Sequence, residues 1–169
     1  MFVLYYVYFN NGLAWSGYGM VRNIAGGNVT MPEIYTRTLA SVDRSDWVYS
    51  SWVPDAVVIN LGTNDQLQAQ PSIETEYIDT YVNFVRQLYV WYGEPFVFLA
   101  CGPMSEAYCD AVLTVIKDLE AVSSEYNIYF LDQRNVLNST NQCCGHPDID
   151  ADVTLAELTT QYIRDILGW

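Results

Sequence analysis

Residues 55 to 65 read DAVVINLGTND, an apolar run rich in β-branched residues that ends on a glycine and passes into short polar side chains. A strand with one wet face alternates apolar and polar residues, whereas a strand covered on both faces is apolar nearly throughout. The run therefore predicts a strand buried inside a parallel sheet. PFVFLAC (95 to 101) and NIYFLD (127 to 132) have the same character, and residues 2 to 8 form a fourth core strand by aromatic and β-branched content.

Between these runs the period changes to that of a helix. Ile73, Tyr77, Ile78, Tyr81, Phe84, Val85 and Leu88 fall on one helical face, and Ala111, Val112, Val115, Ile116, Leu119 and Val122 on another. A C-terminal stretch adds Val153, Ala156, Tyr162, Ile163, Ile166 and Leu167. Strands alternating with helices specify an α/β fold built on a parallel sheet. Residues 20 to 54 are less regular, with a short helix expected over 33 to 40 and a turn at Gly26-Gly27.

The chain of 169 residues, half of them apolar, suffices for one domain with a sizeable core. Seven basic residues against twenty acidic ones give a net charge of -13. Such a chain has no electrostatic footprint for nucleic acid, and its net charge reads first as solubility. The apolar start is too short to span a bilayer, so no membrane insertion is expected. It also lacks the basic region and small-residue cleavage site of a signal peptide.

Four cysteines, Cys101, Cys109, Cys143 and Cys144, accompany a single histidine, His146. Their spacing does not give the paired knuckles of structural zinc, and no metal is expected. An even count fits disulfides in an oxidising compartment. The sequons at Asn28 (N-V-T) and Asn138 (N-S-T) point the same way, towards a secreted or luminal glycoprotein. A bridge from Cys109 to Cys143 or Cys144 would pin the histidine loop to its neighbour. Cys101 would then pair with the remaining cysteine or stay a core thiol, while a vicinal Cys143–Cys144 disulfide would strain the geometry and is the less favoured pairing.

In an open α/β sheet, ligands bind at the carboxyl ends of the strands. The segments that follow the four strands are NNGLAWSGYG, GTND, CGPM and a long loop ending in CCGHPD. The unusual residues thus collect on one edge. A histidine there suits a base role, because imidazole can take and return a proton near neutrality.

AWSGYGMVRN, MPEIYTRTL, WVPDAVVINLGTND, CGPM and CCGHP, in this order, resemble the SGNH or GDSL-type hydrolases. Among these they are most like carbohydrate esterase family 2, acetyl esterases of plant-type polysaccharides. The resemblance covers residues 11 to 168. It implies a flavodoxin-like three-layer α/β/α SGNH fold with a parallel sheet, an acetyl ester or carbohydrate as substrate, and no cofactor. It also implies that the Gly17 N–H and the Asn64 amide hold an oxyanion while His146 serves as general base. Gly17 and Gly19 also read as turn glycines, and Asn64 or, more so, Asp65 as a cap of the following loop. Trp15 and Tyr18 read as sugar platforms or as core.

Two departures follow. The aspartate that the wider family carries three residues before the histidine is Cys143 here, leaving Asp148, Asp150 or a backbone carbonyl to orient the imidazole. The GDS block carrying the nucleophilic serine is absent, and Ser16 belongs to the oxyanion loop. The first, central strand of the sheet is therefore expected to be missing, so residues 1 to 169 read as a single SGNH-hydrolase-like domain, incomplete at its N-terminus. A truncated or wrongly started sequence is the favoured explanation. The alternatives are that residues 1 to 9 move into the place, or that another polypeptide segment completes the sheet. Two functions stand: a secreted esterase working through a Ser-His dyad, or an inactive glycan-binding or structural subunit of a larger extracellular assembly.

Overall fold

A computed structural model of the chain describes residues 12–66, 73–138 and 141–169. The expected strand over residues 2 to 8 lies outside them. The three remaining strands form where the apolar runs placed them: β1 (Ala56–Asn60), β2 (Phe96–Cys101) and β3 (Ile128–Asp132). They lie side by side in that order, all parallel, with Val58 opposite Phe98 and Phe98 opposite Tyr129. Among the described residues β1 has a strand partner on one edge only.

The near-continuous apolar character is explained by the two layers that cover the sheet. Val57, Ile59, Val97 and Leu99 point into one core with α3 (Glu74–Tyr92) and α4 (Cys109–Val122). The alternate residues Ala56, Val58, Phe98 and Ala100 point into a second core with Ile163 of α5 (Ile149–Leu167). This period-two division between two apolar layers is why no residue of β1 before Asn60 is exposed. Both faces of the strand are dry.

On α3 the expected face is buried at Tyr77, Tyr81, Phe84, Val85 and Leu88. Two of its tyrosines also bring a polar tip into the core. Tyr77 donates its hydroxyl to the Leu61 carbonyl at 2.7 Å and Tyr81 to the Ile59 carbonyl at 3.3 Å, so neither hydroxyl is stranded. Burial raises both phenol pKa values well above the ordinary tyrosine range.

Three expectations need correction. The helix expected over 33 to 40 is the single turn α1 (Met31–Ile34). Val122 ends α4 and is exposed. On α5 the inward face is Ala151, Leu155, Thr159 and Ile163, while Val153 and Tyr162 are exposed. Hydrophobicity misdirected that last reading because a threonine occupies a buried position. Thr159 is hidden because its hydroxyl accepts the Gln133 side-chain amide at 2.9 Å.

Gly102 follows β2 with φ +95°, and a Cβ there would stand 2.7 to 2.8 Å from backbone atoms of Gln133 and Arg134. Gly93, with φ +83° at the end of α3, has open space around it. Gly93→Ala should therefore cost about 1–2 kcal/mol for backbone strain alone. Gly102→Ala should cost about 2–4 kcal/mol, because the main chain after β3 must also move. Urea midpoints of the two variants check the difference; equal losses would mean that the close approach is unimportant.

Candidate active site

The site begins with a buried carboxylate. Asp65 lies in α2 (Thr63–Gln66), the turn of helix after β1, and is fully buried. Its oxygens accept the backbone N–H groups of Met20 at 2.9 Å, Val21 at 2.7 Å and Arg22 at 2.9 Å. Asp65 was expected to cap the loop that follows it; besides its own backbone N–H it also gathers the turn after the SGYG stretch. Burial raises its pKa, while these three N–H donors and its own backbone N–H pull it back down.

The loop has no slack at this point. A Cβ on Gly19 would run into the Arg22 carbonyl and the Asp65 carboxylate. Gly19 is thus required by close approach rather than by φ. Gly17 has φ +82° and its carbonyl accepts the Ile24 N–H at 2.8 Å, so it is the turn glycine of the pair. Next to Asp65, the Asn64 amide donates to the Tyr18 carbonyl at 2.8 Å. That bond ties Asn64 directly to the residue after Gly17. Its second amide hydrogen remains for another acceptor.

At the carboxyl ends of the strands, these pieces enclose a cavity. Its wall includes Trp15, Tyr18, Asn60, Asn64, Gln133 and Asp152. Trp15 is 37 % exposed and meets Tyr18 edge to face at 6.0 Å between centroids, so it is a wall residue rather than a core residue. Tyr18 is half-buried and also packs against the larger core. Among the described residues no serine lines this cavity, and Ser16 is exposed in the loop outside it.

His146 is presented by structure that the sequence reading took for plain loop. β4 (Gln142–Cys143) and β5 (His146–Pro147) form an antiparallel hairpin in which Cys143 pairs with His146. The connecting residues Cys144 (φ +56°) and Gly145 (φ +77°) both have positive φ, the requirement of a two-residue type I′ turn. Pro147 lines the cavity, while His146 beside it is exposed at the rim. Gly17 and His146 therefore each stand one residue off the cavity wall.

The orienting group of His146 is a backbone carbonyl. Nδ1 lies 3.2 Å from the Cys144 oxygen. A carbonyl can only accept, so Nδ1 is the donor in this contact. Asp148 caps α5 by accepting the Ala151 N–H at 3.0 Å, and Asp150 is exposed in the first turn of that helix.

The cysteine pairing differs from expectation. Cys101, which ends β2, is bridged to Cys109, which begins α4, with 5.4 Å between Cα atoms. Cys143 and Cys144 are exposed thiols on the hairpin. The reason is topological: the loop after β2 returns the first turn of α4 to the strand end, and the hairpin presents its thiols to solvent. Asn28 and Asn138 are both exposed, as glycosylation would require.

Residues 5–159 match the family model of the GDSL-like lipase/acylhydrolases. The chain belongs to that family. Within the GDSL-like family it stands close to carbohydrate esterase family 2. It is 32% identical over 168 residues to the cellulase/esterase CelE of Acetivibrio thermocellus, covering 94% of this chain and 20% of that protein. It is 24% identical over 161 residues to an acetylxylan esterase / glucomannan deacetylase of Cellvibrio japonicus, covering 93% of this chain and 44% of the relative. A family two carbohydrate esterase from Clostridium thermocellum, solved with cellohexaose, superposes with a TM-score of 0.80 at 28% identity. A Myceliophthora fergusii family 2 enzyme with a carbohydrate-binding domain gives 0.79 at 31%. These superpositions cover 92% and 93% of this chain and 49% and 52% of the solved ones, so the chain spans about half their length or less.

Asn60, Gln133 and Asp152 escaped the sequence reading. Asn60 and Gln133 sit at or just past strand ends, and a search of those positions for amides would have found both. Asp152, four residues after the capping Asp148, had no comparable signal.

Asp65→Asn tests the carboxylate clamp. An amide offers one acceptor oxygen where two accept three N–H groups, and turns its own donors towards them. We expect a loss of about 2–4 kcal/mol in urea denaturation. A change below about 0.5 kcal/mol would mean that the clamp contributes nothing.

Proposed function

We propose that this chain is part of a secreted carbohydrate esterase that removes acetyl groups from a polysaccharide through a Ser-His dyad. The observation that carries the reading is the His146 imidazole, held through Nδ1 by the Cys144 carbonyl beside a cavity at the strand ends. This is the tautomer a general base needs. The relatives supply the substrate class: one is an acetylxylan esterase / glucomannan deacetylase, and another was solved with cellohexaose.

In this mechanism Nε2 of His146 takes the proton of a serine hydroxyl as its oxygen attacks the acetyl carbonyl. The resulting oxyanion is held by the Gly17 N–H and the Asn64 amide. The tetrahedral intermediate collapses, and His146 returns the proton to the departing sugar oxygen. Water then attacks the acetyl-serine with the same base, releasing acetate. A carbonyl in place of an aspartate fixes the ring without stabilising the imidazolium as a carboxylate would. Trp15 and Tyr18 offer ring faces to the sugar.

The serine is proposed to arrive on a strand that pairs with the edge of β1 that has no strand partner among the described residues, supplied by a further segment of the same protein or by another polypeptide. Support comes from β1, which is buried on both faces yet paired on one edge among the described residues. Secretion is supported by the Cys101–Cys109 bridge and by the two exposed sequons. No helix of the described residues is long and apolar enough to cross a membrane.

A second reading, glycan binding without hydrolysis, is favoured by the absence of a serine from the cavity wall among the described residues. Intact mass and fluorophosphonate labelling of the native protein separate the two. Labelling on a serine supports the esterase; a mass of this chain plus glycan without labelling supports the binding module. In a labelling-competent form, His146→Ala should lower acetyl ester turnover at least ~10^3-fold. Asn64→Ala should lower it by about 10^2–10^3. Near wild-type turnover of either variant removes the role assigned to it.

A further inference from the structure

The hairpin that presents His146 carries a pair of thiols for which the esterase mechanism has no use. Cys143 and Cys144 are adjacent and exposed, and their sulfurs lie 3.4 Å apart. The other two cysteines are already bridged, so no further thiol of the chain competes for them. Cys144 also holds φ +56°, a conformation that glycine and asparagine adopt at less cost. Its carbonyl is the one that accepts from His146. An adjacent, exposed pair of thiols, a residue with positive φ and the orienting group of the proposed base thus meet in one turn.

We propose that Cys143 and Cys144 form a reversible oxidation site, closed by low-molecular-weight disulfides into a vicinal bridge that displaces the Cys144 carbonyl from His146. In the first step the thiolate of one cysteine attacks a sulfur of the external disulfide. A mixed disulfide forms and one external thiolate leaves. In the second step the neighbouring thiolate attacks the cysteine sulfur of that mixed disulfide and expels the other external thiolate. The pair loses two electrons and two protons, and the external disulfide gains the two electrons and leaves as two thiols.

Closure acts on the backbone because the bridge makes an eight-membered ring. Adjacent Cα atoms are held about 3.8 Å apart by their peptide, less than the ~4.4–6.8 Å usual across a disulfide. The sulfurs must also approach from 3.4 Å to a bond of about 2.05 Å. The φ torsion of Cys144 becomes part of the ring. Rotation about it, which relieves the ring, swings the attached carbonyl away from the imidazole. A strained and exposed bridge of this kind is readily reduced again. The orienting bond returns with the dithiol.

The effect on catalysis rests on the base role proposed for His146; ring closure does not, and its test needs no serine. The chain is treated with oxidised glutathione and followed by thiol titration, intact mass and peptide mapping. Nitrogen chemical shifts of the neutral His146 ring, the only imidazole in the chain, are recorded in parallel. We expect free thiols to fall from two to none, with loss of two hydrogens in the peptide holding residues 142 to 147 and Cys101–Cys109 unchanged. The Nδ1-protonated tautomer of the reduced form should give way to a mixture and return on mild reduction. Cys143→Ser should instead stop at a glutathione adduct on Cys144 and show no ring. A stable adduct on the wild type, disulfide-linked dimers, or ring closure that leaves the tautomer unchanged would each overturn the proposal.

Discussion

The Asp65 carboxylate is the constraint on which the site depends. Its three backbone hydrogen bonds join a loop near the start of the chain to the end of β1 some forty-five residues later. Neither partner would hold its shape alone. The loop donors at Met20, Val21 and Arg22 need an acceptor where water is excluded, and a carboxylate taken into that environment needs several donors. Once joined, they bring Gly17, Tyr18 and Asn64 together, and the Asn64–Tyr18 bond closes the arrangement.

The second anchor of the site lies at the other end of the chain. Asp148 caps α5, the Asp148 N–H reaches the Asn141 carbonyl at 3.1 Å, and the hairpin between them turns through Cys144 and Gly145. His146 is therefore fixed by local backbone geometry rather than by packing, which is why it is exposed yet directed. The cavity wall between the two anchors comes from the end of β1 and from the segments that follow β1, β2 and β3. A rigid sheet thus carries two short polar devices on its edge.

Much of this was legible in the residues. The runs at 55, 95 and 127 became strands within a residue of their expected limits, because burial on both faces leaves a strand almost no polar residue and so a clear pattern. The faces of α3 and α4, apart from Val122 at the end of α4, followed from period alone. The inward face of α5 did not, since a hydroxyl with a buried amide partner, Thr159, has the same sequence signature as an exposed threonine. The Cys101–Cys109 bridge was missed for a related reason: sequence spacing carries no information on where a loop returns. The orienting carbonyl of Cys144 could be foreseen only as a class of group, because every residue has one.

The relay behind the cavity sets a division of labour between its base and its rim. Asn60 uses both amide hydrogens inward, on the Gly102 carbonyl at 2.8 Å and the Gln133 side-chain oxygen at 3.0 Å, and Gln133 passes its own amide to Thr159. The floor of the cleft is thereby committed to holding strands and last helix in step, and has few hydrogens left to offer a guest. In the proposed mechanism, negative charge that develops on a bound molecule is met from above, by the loop that Asp65 anchors. A change at Asn60 or Gln133 would therefore disturb the register of sheet and last helix before it altered the loop above.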